Sequence, residues 1–62
     1  MSGAEIIETY GTVNVLRRRE DGKYGVEDTA TGEVAFRYKT LDGARQIAIA
    51  FAAENDQAAG SN

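Results

Sequence analysis

The chain contains no cysteine and no histidine. Without cysteine there is no disulfide framework and no thiolate metal site; without histidine the easiest zinc ligand and the side chain that titrates near neutral pH are both missing. Those absences remove most of the usual catalytic groups and the usual staples of a miniature fold. No apolar run approaches the roughly 18–20 residues needed to span a bilayer, and Met1-Ser2-Gly3-Ala4-Glu5 has neither a basic n-region nor an apolar h-region. A cytoplasmic chain that makes no membrane contact is the expectation. The glycines show no phosphate-loop spacing, and no Walker lysine follows any of them.

What is present is short. Sixty-two residues hold one domain at most, and a chain of that size buries only about 60% of the surface its unfolded form exposes. Reinforcement must come from close packing or from oligomerisation. The formal net charge of −3 supplies no bulk basic excess for coating phosphates. That charge is uneven, because residues 17–45 set seven Arg and Lys against six Asp and Glu, while Glu5, Glu8, Glu54 and Asp56 sit outside that segment.

Three stretches have the composition of strands, at residues 9–19, 23–28 and 33–39. Asp21-Gly22 between the first two is a hairpin signal, since such a pair tolerates positive φ. A two-residue loop there would set Arg19 opposite Tyr24 and Arg17 opposite Val26, whereas a three-residue loop would pair Arg18 with Val26 and exchange the faces of Val15 and Leu16. Residues 28–32 read as a longer turn, with Gly32 free for a left-handed position. In the third strand, alternation sets Val34, Phe36 and Tyr38 on one face and Ala35, Arg37 and Lys39 on the other. Val13, Val15, Tyr24 and Val26 extend the apolar face. Ile6 and Ile7 are adjacent and cannot both enter one core.

A greasy three-stranded sheet needs a lid, and residues 40–55 provide it, with Thr40 as N-cap and Asp42 near the positive end of the helix dipole. The expected fold is α+β: a three-stranded antiparallel meander covered by one C-terminal helix, spanning residues 5–56 between flexible segments 1–4 and 57–62. At about 100° per residue, Ala44, Ile47, Ala48 and Phe51 form one helical stripe, and Ile49 points away among Arg45, Ala52 and Ala53. That second face has nothing left in this chain to bury against. It marks a protein interface.

Arg17, Arg18 and Arg19, with Arg37 and Lys39, are candidate phosphate contacts, and Tyr10 is a candidate base or protein contact. Each cation also has acidic neighbours close by, so a solvated, ion-paired surface competes with that reading. Tyr24 and Tyr38 fall in register with apolar residues and suit the core edge. Glu27-Asp28 and Glu20-Asp21 are the available acid pairs. Adjacent strand residues face opposite sides, so neither pair converges on a substrate. No enzyme activity, cofactor or metal is expected. Gly25 inside the second strand marks a bulge or a close approach by another group.

Gly22-Lys23-Tyr24, Thr31-Gly32 and Ala44-Arg45-Gln46-Ile47-Ala48, in a strands-then-helix order over residues 20–54, loosely resemble the arm-type DNA-binding domains of tyrosine recombinases. That resemblance implies a sheet entering the major groove, against which stand the acidic Glu27, Asp28 and Glu33 in the sheet region. The leading expectation is therefore a small regulatory or inhibitory binding protein of the sort found in phage and mobile-element gene sets. Its partner is another protein or a second copy of itself, in a homodimer. A sheet-based DNA-binding module is the alternative.

Overall fold

A computed structural model describes residues 3–60, with side chains described through residue 56. Four strands, not three, precede the helix: β1 (Ala4–Tyr10), β2 (Val13–Arg18), β3 (Tyr24–Asp28), β4 (Glu33–Tyr38) and α1 (Leu41–Gly60). The strands form one sheet in chain order, and every neighbouring pair is antiparallel. The α+β class stands and the three-strand detail is corrected. The expected first strand breaks at Gly11-Thr12, where Tyr10 pairs with Val13 across a two-residue loop. Gly11 has a φ of 59°, and among the described residues no non-glycine residue is left-handed, which is the pattern of a type II′ hairpin turn. Within the segments expected to be flexible, Ala4 belongs to β1 and the backbone of residues 57–60 is helical. Residues 1, 2, 61 and 62 of those segments lie outside the described residues.

The next hairpin also departs from the expected register. Arg17 pairs with Tyr24 and Val15 with Val26, leaving residues 19–22 as the loop. The cause is local: the Asp21 carboxylate accepts bonds from the Lys23 backbone N–H (3.1 Å) and the Arg18 guanidinium (3.1 and 2.7 Å). Asp21 thereby anchors a wider turn, closed by the Gly22 N–H donating to the Arg18 carbonyl at 2.8 Å.

Two bulges decide which side chains face where. In β1 the pairing slips between Ile6 and Glu8, so Ile7 is the extra residue, and both isoleucines are exposed. In β4, Tyr38 still pairs with Tyr24 and Ala35 with Val26, so Phe36 and Arg37 together oppose Gly25. The simple alternation expected for β4 is therefore wrong. Ala35 and Tyr38 share the helix side, while Val34 and Phe36 lie on the sheet's other face.

Val13, Val15, Val26, Ala44 and Ala48 make the buried core, with Tyr10, Tyr24, Tyr38, Leu41, Ile47 and Ala52 packed around it. Alanine on the helix is what brings helix and sheet close enough to seal three valines, each contributing about 1.5–3 kcal/mol on full burial. The helix starts as its residues require: the Gly43 N–H donates to Thr40 Oγ1 at 3.2 Å, and Asp42 in the first turn holds Gln46 at 3.0 Å. Among the described residues no helix is long and apolar enough to cross a membrane.

Candidate functional site

Three surfaces carry the sequence-predicted residues. The first is the flank of α1 that faces β1. Arg45 reaches Glu8 with both arms, Nε to Oε1 at 2.9 Å and Nη2 to Oε2 at 2.8 Å, and the Tyr10 hydroxyl donates to the same Oε1 at 2.8 Å. The Arg45 hydrogen bonds, followed by that from Tyr10, hold the Glu8 carboxyl below its ordinary value. Their counterparts push Tyr10 and Arg45 up, each chiefly through its hydrogen bond to Glu8. Two expected contact residues, Arg45 and Tyr10, are thus spent in fastening the helix to β1. Ala52 packs against the core. Of the expected helical interface only Ile49, 47% exposed, and Ala53 remain open.

The second surface was expected to be basic. The five cations scatter instead. Arg18 lies on the sheet face opposite the helix, stacked 4.7 Å over the Phe36 ring and held by Asp21. That hydrogen-bonded partner, with help from the Lys23 backbone, depresses the Asp21 carboxyl to about 2. Arg17 belongs to the opposite register row, beside Tyr24, and it shares Glu5 with Arg19 at long range, 3.9 Å in each case. Arg37 lies at the β4 edge and Lys39 follows the strand, and neither has an ion pair among the described residues. No single face gathers all five.

The third surface follows from the bulges. On the sheet face away from α1, register aligns Ile6, Leu16 and Gly25, and the Phe36 ring fills the space where a Gly25 side chain would be. Leu16 is 8% exposed there, sheltered by these neighbours, whereas Ile6 is 60% and Val34 49% exposed. Thr9, Asn14 and Glu27 form a hydrogen-bonded row beside them (Oγ1 to Oδ1, 2.9 Å; Nδ2 to Oε1, 3.1 Å). Around the β4 edge, on the helix side, runs an open groove of about 390 Å³ lined by Glu33, Ala35, Arg37, Phe51 and Glu54. Phe51 was expected within the buried stripe and is instead 42% exposed at this groove. Its place on the helical wheel, about 20° from the fully buried Ala44, carries no sign of that exposure.

No family model matches the chain, and no curated protein or solved structure matches it.

Proposed function

We propose that this chain is a small, non-catalytic, cytoplasmic binding protein that acts through protein–protein contacts, beginning with self-association, in the manner of a compact regulator or inhibitor. One observation carries this reading: a sheet covered on one side only leaves Ile6, Val34 and Phe51 exposed around its open face and β4 edge. A domain this small conceals such side chains most economically against another polypeptide. The open groove favours a surface function too, and the closest ion pairs, Arg45 with Glu8 and Arg18 with Asp21, brace the fold rather than converge on a substrate.

The rival is a DNA-binding sheet. Arg18 on the open face favours it, but its guanidinium is already held by Asp21 and Phe36, and Glu27 shares that face. Molecular mass across a concentration series, at low and high salt and with a mixed-sequence DNA duplex, separates the two. A dimer indifferent to DNA is the expected result. A monomer that moves onto DNA at roughly 50 mM salt and leaves it by roughly 200 mM would overturn the proposal.

A further inference from the structure

The structure assigns Asp21-Gly22 as a site of covalent self-modification, at which the folded chain converts aspartate to isoaspartate through a cyclic imide, with Arg18 as the brake on its rate. Two Asp-Gly pairs occur in the sequence, Asp21-Gly22 and Asp42-Gly43. In each, the residue after aspartate has no side chain to shield its backbone nitrogen from the neighbouring carboxyl. In an unfolded chain the two pairs are chemically alike, and the fold sets them apart.

The reaction needs no group from outside except water. The Gly22 nitrogen attacks Asp21 Cγ, a C–N bond forms, and the carboxyl OH leaves with the nitrogen's proton as one molecule of water. A second water then opens the five-membered imide at either carbonyl. Attack at Cγ restores aspartate, whereas attack at the main-chain carbonyl leaves the chain running through Asp21 Cβ and Cγ as isoaspartate. One water is lost and one regained, with no oxidation or reduction.

Asp42-Gly43 is locked by the core. It lies in the first turn of α1, where the Gly43 N–H donates to Thr40 Oγ1 at 3.2 Å and the next residue, Ala44, is fully buried. Freeing that nitrogen for ring closure unwinds the helix start and disturbs the seal over the valines. Asp21-Gly22 lies instead in the loop of residues 19–22, beyond the last paired residues of β2 and β3. Its aspartate side chain is 33% exposed, and a Cβ at Gly22 would meet nothing within 4 Å.

What restrains Asp21-Gly22 is local and centres on Arg18. The Arg18 carbonyl accepts the Gly22 N–H at 2.8 Å, which holds the nucleophile, and the Arg18 guanidinium grips both carboxylate oxygens at 3.1 and 2.7 Å. The Lys23 N–H adds one further bond, at 3.1 Å. Ring closure requires these bonds to open and the carboxyl to be neutral, since a carboxylate has no OH to lose; the same contacts, Arg18 first, hold that carboxyl at about 2. Opening a surface loop takes less free energy than opening the core. Asp21 is therefore the reactive pair in the folded chain.

The test incubates the full chain at neutral pH in water enriched in heavy oxygen, folded and in strong urea, and follows uptake by mass spectrometry after digestion in ordinary water. Each imide cycle inserts one heavy oxygen whichever product forms, and trypsin separates the pairs as residues 20–23 and 40–45. In urea the two rates should agree within about threefold. In the folded chain Asp21 should outpace Asp42 at least about fivefold. Arg18→Gln should speed Asp21 about 5- to 10-fold more and leave Asp42 unchanged, and Arg18→Lys, a cation without the two-point grip, should fall between. Acceleration of both pairs by Arg18→Gln would mean unfolding, and Arg18→Lys then carries the comparison. Heavy oxygen that enters Asp42 as fast as Asp21 in the folded chain, or enters neither, overturns the assignment, as does an Asp21 rate unmoved by the Arg18 variants.

Discussion

Gly25 is the position where one added methyl group should cost the most for its size. A Cβ built on it would lie 2.6 Å from Phe36 Cδ1, 2.8 Å from Phe36 Cε1 and 2.9 Å from the Ala35 carbonyl oxygen. Carbon atoms in contact settle near 3.5–4.0 Å, so Gly25→Ala must push the ring outward by about 1 Å and strain the strand beside it. Overpacking of this kind costs about 1–3 kcal/mol. The opposing gain, from restricting the unfolded chain, is about 0.4–1 kcal/mol. The net expectation is a loss of about 1–2 kcal/mol, which in a domain of this size lowers Tm by roughly 5–15 °C.

Thermal and urea denaturation of four proteins, namely wild type, Gly25→Ala, Phe36→Ala and the double variant, tests the cause as well as the size. If the ring limits the space, Gly25→Ala should cost less than half as much once Phe36 is alanine, a coupling of about 1 kcal/mol between contacting residues. The Ala35 oxygen should account for what remains. A Gly25→Ala protein as stable as wild type, or an unchanged cost in the Phe36→Ala background, would refute the close approach and with it the placement of Phe36 on the open face.

Three further outcomes are expected. Asp21 is held at about 2 against an ordinary 3.8, so its contribution is fully present above 3.8 and is lost as pH falls toward 2; Asp21→Asn should flatten the acid limb of the stability profile in that window. Tyr10 is raised above its usual 10.0 by the bond to Glu8, so its contribution is complete below pH 10 and lost as pH rises through the higher folded value; Tyr10→Phe should remove that alkaline loss in the same denaturation series. Ile49→Asp, on the exposed flank of α1 away from β4, should leave the mass at every concentration unchanged, and a monomer there would move the interface back to the helix.

The parts of the fold legible in the residues are those fixed by composition over many positions. Val13 and Val15 alternate with Asn14, and Val26 answers them across the hairpin, so the buried face of the central strands follows from period alone. Thr40 with Asp42 marks the helix start for equally local reasons. The misses arise where one or two backbone atoms overrule the pattern. Gly11 supplies a positive φ in mid-run and turns one long strand into two, but a lone glycine between Tyr10 and Thr12 does not distinguish a turn from a bulge. The wider loop after Arg18 depends on a side chain bonding its own turn, which outweighs the generic Asp-Gly signal.

The candidate surfaces were harder to read because exposure depends on register, and each bulge resets register for every residue beyond it. The register about Gly25 places Phe36 on the open face and Ala35 on the helix side, the reverse of the alternation expected for β4. Gly25 itself was the available clue, since a strand glycine signals either a bulge or a close neighbour; here it serves both, and Phe36 is that neighbour. Pairing preferences then decide which cations are free. Arg45 and Arg18 each find a carboxylate within 2.8 Å, through contacts 37 and 3 residues apart. Arg37 is left at the one sheet edge where its nearest complement on the same strand, Glu33, lies four residues back along an extended chain. At about 3.3 Å per residue that separation is some 13 Å, too far for a pair within one copy.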